Sequence, residues 1–303
     1  MTESTTSVSW ESATKRVAAG IRRRVLDHTV RNNGGYLSQA CSSAEVLATL
    51  YTRLMRLGPS LAPPVPTPFT GVPGAAPYRT GAAYNGAHAP DLDRFFLSPA
   101  HYALVLYAAL VEVGRMAEEG LQQFNQDGST VEMIGAEHSP GMELTTGSLA
   151  QGMAQAVGVA MARRFHGESG LNWVFLSDGE WQEGQTWETL EIMAHYHLDN
   201  VRVYVDVNGQ QCDGRMSDVM DVGDLAAKVA AFGATVREVD AHDVRALAAA
   251  ADNPEPGCPL VVLARSCPWQ GLPLLEARAP KLHYVRFRDE AERSRYAAQL
   301  ASW

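Results

Sequence analysis

Cysteine is scarce in this chain of 303 residues, and its four thiols, Cys41, Cys212, Cys258 and Cys267, form neither a CxxC pair nor a zinc pattern. They read as isolated thiols, which excludes a disulfide framework and points to a reduced, cytoplasmic compartment. No run of about 18 apolar residues occurs, so no membrane-spanning helix is expected. The opening segment, Met1 to Glu11, is polar and rich in Ser and Thr, unlike a secretion signal. Excess positive charge is also missing. The formal net charge is −9, which argues against non-specific binding to nucleic acid or anionic membranes. The one tight basic cluster, Arg22-Arg23-Arg24, sits between Ile21 and Val25 and reads as the solvated face of a helix. Neither GxGxxG nor GxxxxGKS/T is present, which removes the common nucleotide-binding fingerprints.

What the chain does have is an ordinary globular composition, 46% apolar and 19% charged, and enough length for one large domain over 1–303. Residues 1–10 read as a flexible tail. A helical pattern runs from Ser12 to Asn32 with Val17, Ile21, Val25 and Val30 along one face, and another covers Ser43–Met55. Residues 58–92 are rich in Pro, Gly, Ala and Thr with no sustained period, which fits either a functional loop or a disordered insert. Helical patterning returns from Leu97 to Ala117. A Gly/Ser/Pro-rich loop at 135–148 then opens into a small-residue helix, Leu149–Phe165. Beyond it, strands at Trp173–Leu176, Val201–Val207, Thr235–Val239 and Leu260–Ala264 alternate with helices at Gly184–His197, Leu225–Phe232 and Val244–Ala251. That alternation implies βαβ crossovers and an α/β fold with a mostly parallel sheet flanked by helices.

The stretch from Trp173 to Gly214 carries the chemistry. One apolar strand runs into Ser177-Asp178-Gly179-Glu180, and a second ends at Asp206-Val207-Asn208-Gly209-Gln210. In a parallel sheet both turns emerge at the carboxyl edge, where ligands bind. Asp178 and Asn208 would meet there and present a carboxylate and an amide oxygen, with the Gln210 carbonyl close by. Such an oxygen-only set suits Mg²⁺, which completes its shell with phosphate and water. Gly179 lacks a Cβ, so its N–H can approach a phosphate closely.

This segment resembles the thiamine-diphosphate motif in the form typical of the transketolase family. GEWQEGQTWE, AHYHLDN and VDVNGQQCDG are similar to transketolase text, as are DRFFLSPAH, PGMELTTGSLAQGMAQAVGVAMA and AFGATVREVDAHD elsewhere in the chain. The resemblance implies the thiamine-diphosphate-binding fold, here its diphosphate-binding domain, with thiamine diphosphate and Mg²⁺ as cofactors. Asp178, Asn208 and the Gln210 carbonyl would hold the metal, and Gly179 would touch the diphosphate, with Glu180 at the adjoining helix start. Gly147, Ser148 and Leu149 would lie against the aminopyrimidine ring. His101 matches a histidine that contacts the cofactor and the reacting carbon. His283, in KLHYVR, stands where the family has a late histidine, and His138 lies near a third. Glu183 matches an acidic residue at the dimer interface, or else serves as a helix-start glutamate.

Two departures stand out. Asn32, in Asn32-Asn33-Gly34-Gly35, occupies the place of an active-site histidine, and Ser177 replaces a glycine. The chain ends at Trp303, without the following domain that in the family binds the pyrimidine and supplies an activating Glu. The resemblance therefore implies the N-terminal subunit of a split transketolase, active with a C-terminal partner subunit in an α₂β₂ assembly. Its expected reaction moves a two-carbon ketol unit from a ketose to an acceptor. The alternatives are delivery of a glycolyl or acyl unit to a lipoyl or carrier-protein thiol, and a cofactor-binding subunit without catalysis.

Overall fold

The computed structural model describes residues 9–71 and 80–303, so most of the predicted tail and part of the 58–92 segment lie outside the described residues. Ser9 already caps the first helix, accepting from the N–H of Ser12. Five strands, β1 (Arg94–Leu97), β2 (Asn172–Ser177), β3 (Val201–Val207), β6 (Thr235–Asp240) and β7 (Leu260–Arg265), form one sheet in the order β1-β2-β3-β7-β6. All four pairings are parallel. A separate two-residue hairpin joins β4 (Gln210–Gln211) to β5 (Gly214–Arg215). No helix among the described residues is long and apolar enough to cross a membrane.

Alternate side chains of the central strands feed two cores. Trp173, Phe175, Tyr204 and Val262 pack towards α1 (Trp10–Asn32), α2 (Leu37–Thr49) and α3 (Ala103–Glu112). Val174, Leu176, Val203, Val205 and Val261 pack towards α5 (Gln151–Phe165), α6 (Gly184–His195) and α8 (Leu225–Ala231). The one-turn helices α4 (Glu118–Leu121) and α7 (Met216–Val219) serve as connectors. On the first face, α9 (Val244–Ala249) and α10 (Glu290–Ala301) complete the cover, with Leu247 and Tyr296 entering that core. Strands buried on both faces explain why they read as continuous apolar runs.

Four elements differ from the sequence reading, one of them the helix expected over Leu97–Ala117, which is α3 and spans only Ala103–Glu112. The second helix begins at Leu37 rather than Ser43 and ends in a wide turn, Leu50–Leu54. Phe95 and Phe96 belong to an edge strand, β1, which a four-residue run beside the Pro/Gly segment did not reveal. The closing helix α10 was not expected; its N-cap Asp289 accepts from the N–H of Glu292, and Arg293 reaches the carbonyl of Val30 in α1. Parts of the Pro/Gly segment are pinned: the Arg115 guanidinium donates to the carbonyls of Gly58 and Tyr84.

Candidate functional site

In the register of β2 and β3, Ser177 lies opposite Asp206, so both strands leave the sheet side by side. Asp178, 2% exposed, accepts from the Gly209 N–H at Oδ2 over 2.6 Å, which ties the two strand-end loops together. Its Oδ1 is buried and has no hydrogen-bond partner. The Asn208 amide donates through Nδ2 to the Tyr102 hydroxyl (3.1 Å) and to Asp206 Oδ2 (3.2 Å). Its Oδ1 accepts from the Gln210 N–H at 2.8 Å, and the Gln210 side-chain oxygen is also buried without a partner. Among the described residues no group of three or more His, Cys, Asp or Glu could form a metal cage. The candidate set is instead carboxylate, amide and backbone carbonyl.

Burial sets the electrostatics of this edge. Burial, and then the neighbouring Asp206 charge, push the Asp178 carboxyl up to about 8, against the pull of the Gly209, Gly179 and Asn208 N–H groups. Burial also pushes Asp206 upward, opposed by hydrogen bonds from Ser266, Ser42, Tyr102 and Asn208. Two buried carboxyls side by side, one with an orphaned oxygen, form a place that a divalent cation would stabilise.

Gly179 faces open space, and Gly147 is exposed in a backbone conformation that side chains rarely adopt. A Cβ on Gly179 would meet nothing nearer than Gln211 Cβ at 3.9 Å. Gly147 has φ +136° and is exposed; a Cβ there would come within 2.9 Å of Ile134, a side chain 57% exposed. Ser148 and Leu149 are exposed beside it. Glu180, in contrast, is fully buried and engaged at both oxygens. It accepts from Ser98 Oγ (2.5 Å) and the Ala150 N–H (3.1 Å) at one, and from Ser177 N–H (2.9 Å) and Oγ (3.2 Å) at the other. It thus staples the 147–150 loop to the ends of β1 and β2, and the serine at 177 adds a donor that glycine would lack.

His101 and His283 come together from distant parts of the sequence, with ring centroids 4.9 Å apart. Burial, then His283, pushes His101 down to about 3; burial also lowers His283, so both imidazoles are neutral at neutral pH. Tyr36 packs edge-on against His283 at 5.8 Å. His138 is placed differently. Its Nε2 lies 3.3 Å from Glu132, and its ring stacks on Phe69 at 4.6 Å. Asn32 is exposed and donates to the His28 ring and carbonyl, on the wall of a groove of about 680 Å³ between α1 and residues 112–126. Glu183 occupies the N-cap position of α6 without a side-chain capping bond. Tyr102, Ser42, Ser266 and Asp206 were missed by sequence reasoning. The signal available was an aspartate between two valines at the end of β3, which needs buried donors.

A buried, parallel five-stranded sheet with an acidic, oxygen-lined carboxyl edge defines the class, an α/β domain of the thiamine-diphosphate-binding fold. The chain belongs to the transketolase family: residues 81–262 match the family model described as transketolase, thiamine diphosphate binding domain. A transketolase family protein of Sinorhizobium fredii is 35% identical over 275 residues, covering 87% of this chain and 88% of that protein. One of the subunits of the apulose-4-phosphate transketolase of Actinobacillus succinogenes is 28% identical, with 94% and 95% covered. In three dimensions the chain is similar to a solved transketolase from Pichia stipitis, with TM-score 0.68 and 23% identity; the match covers 96% of this chain but 44% of that one.

Proposed function

We propose that the chain is the cofactor-binding subunit of a two-component transketolase that moves a two-carbon ketol unit from a phosphorylated ketose to an acceptor. The observation that carries this reading is the strand-end pair: Asp178 keeps one oxygen buried and unpartnered while the other accepts from the Gly209 N–H, in the loop that presents Asn208. These groups fit a bridging Mg²⁺, because two buried acidic groups beside a diphosphate repel it unless a cation intervenes. Asp178, Asn208 and the Gln210 carbonyl would hold the metal. The open face of Gly179 would admit the diphosphate, and the exposed Gly147 backbone would lie against the aminopyrimidine, with Ser148 and Leu149 beside the ring. Glu180 would act indirectly, by fixing that loop.

Once bound, thiamine diphosphate supplies a thiazolium carbon able to hold the negative charge left when a carbon–carbon bond breaks. His101 and His283 would face the reacting oxygen. Each neutral imidazole offers one N–H and one lone pair, so the pair can hold or pass a proton without setting a cation against the thiazolium. A partner polypeptide would complete the site with the pyrimidine-binding domain and the activating Glu in an α₂β₂ assembly. The near end-to-end match to a relative that is itself named as one subunit of a transketolase supports this division.

The test is reconstitution with the partner, supplying xylulose 5-phosphate, pyruvate or a carrier thiol. Ketol transfer by the pair and none by the chain alone is expected. Acylation of the thiol without a sugar product would favour the glycolyl- or acyl-carrier reading. This alternative rests on Asn32, which donates to the His28 carbonyl and stands where the resemblance sets an imidazole, together with the Pro/Gly-rich segment at 58–92. Cofactor retention without any turnover would leave a binding subunit.

A further inference from the structure

Asp206 lies within β3, fully buried, and receives hydrogen bonds from four separate parts of the chain. Ser42 Oγ in α2 (2.5 Å), Tyr102 Oη after β1 (2.7 Å), Ser266 Oγ after β7 (2.5 Å) and Asn208 Nδ2 (3.2 Å) all converge on it. These four donors occupy both oxygens of Asp206, so Asp206 is the accepting side of every one of these contacts. The Tyr102 hydroxyl proton is therefore committed to Asp206, and its lone pairs face Asn208 Nδ2 at 3.1 Å. Both neighbours of that end of the Asn208 amide are acceptors. The NH₂ must face them, and Oδ1 must face the other way, where it accepts from the Gln210 N–H. Chemistry, rather than the naming of two atoms of similar size, fixes the amide.

We infer that Asp206 is a positioning residue that locks the Asn208 amide with its oxygen aimed at the cation. This rests on the metal assignment proposed above. Outer partners of this kind orient ligands and commonly change metal affinity by about 10–100-fold when removed.

The test uses the full chain assembled with its partner and saturated with thiamine diphosphate, with Mn²⁺ in place of Mg²⁺ and free Mn²⁺ counted by electron paramagnetic resonance. Asp206→Asn keeps the shape, and the three hydroxyls can turn to accept. It should weaken Mn²⁺ binding about 10–100-fold while leaving the melting profile of the cofactor-free chain nearly unchanged. Tyr102→Phe, which deletes one acceptor and keeps the packing, should give a smaller loss in the same direction. The decisive variant is Asn208→Asp, because a carboxylate presents oxygen whichever way it turns. It should weaken binding in the wild-type background, where it removes the Nδ2 donor and sets a second carboxyl against Asp206. In the Asp206→Asn background it should restore most of the lost affinity. Wild-type affinity in Asp206→Asn would overturn the inference. So would a gain from Asn208→Asp in both backgrounds, which marks a purely electrostatic role. Absence of Mn²⁺ binding by the wild-type assembly would overturn the metal assignment itself, and this inference with it.

Discussion

Oδ2 of Asp178 accepts the Gly209 N–H at 2.6 Å while Oδ1 of the same carboxylate is buried without a partner. One oxygen thus holds the site together, and the other is left for a ligand. Asp178→Asn keeps the first role and removes the charge from the second. The cofactor-free variant should melt no earlier than wild type, since burial already pushes this carboxyl up to about 8. Thiamine diphosphate affinity of the assembled enzyme in Mg²⁺ should fall about a hundredfold, the worth of one charge-assisted contact of nearly 3 kcal/mol. Isothermal titration of the assembly measures it, and unchanged affinity would remove Asp178 from the cation site.

Glu180 predicts a different pattern, loss of order rather than loss of a ligand. Its two oxygens satisfy the Ser98 hydroxyl, the Ala150 N–H and both donors of Ser177. Glu180→Ala leaves several buried donors without acceptors, each costing roughly 1–3 kcal/mol. The expected result is a destabilised chain with faster amide exchange at Gly147–Ala150. Exchange confined to the α10 end of the molecule would contradict this.

The sheet and its acidic edge were legible in the sequence because both depend on short-range patterns. Apolar runs mark strands buried on two faces, and strand-end Asp and Asn fall together by parallel topology alone. What escaped depends on distant packing. β1 carries only four residues, and α10 is polar on most of its surface and is held by single side chains such as Glu292 and Arg293. The donors to Asp206 come from α2, from the end of β1 and from the end of β7, and nothing local in Ser42, Tyr102 or Ser266 marks them as partners of one carboxylate.

Glu292 ties α10 to the preceding segment and gives the fold an acid limit. Its side chain is 3% exposed. Burial alone would raise its pKa, but hydrogen bonds from Arg288, through side chain and N–H, and from Arg278 outweigh this and hold it at about 2. The folded value lies below the ordinary 4.5, so the stabilisation is complete above that pH and is lost as pH falls towards 2. Glu292→Gln should lower stability by about 2 kcal/mol at pH 7 and shrink the difference between urea melts at pH 6 and pH 3. An equal pH response in the variant would assign the acid sensitivity elsewhere.

His101 and His138 make opposite predictions. His101 shares a 4.9 Å ring contact with His283 at the carboxyl edge, and burial keeps it neutral, with a pKa of about 3, so it can exchange protons without holding a standing charge. A group that donates to the reacting oxygen typically contributes about 10²–10⁴-fold to the rate. His101→Ala should therefore lower kcat of the reconstituted enzyme within that range, beyond what the loss of its ring contacts with Tyr102 and His283 takes from stability. His138 spends its ring on Glu132 and Phe69. His138→Ala should change stability more than rate, because it removes a packing contact rather than a proton donor. Steady-state kinetics beside thermal melts of both variants separate the roles. A large kcat loss in His138→Ala with no loss in His101→Ala would reverse the assignment and place the reacting carbonyl on the Glu132 side of the site.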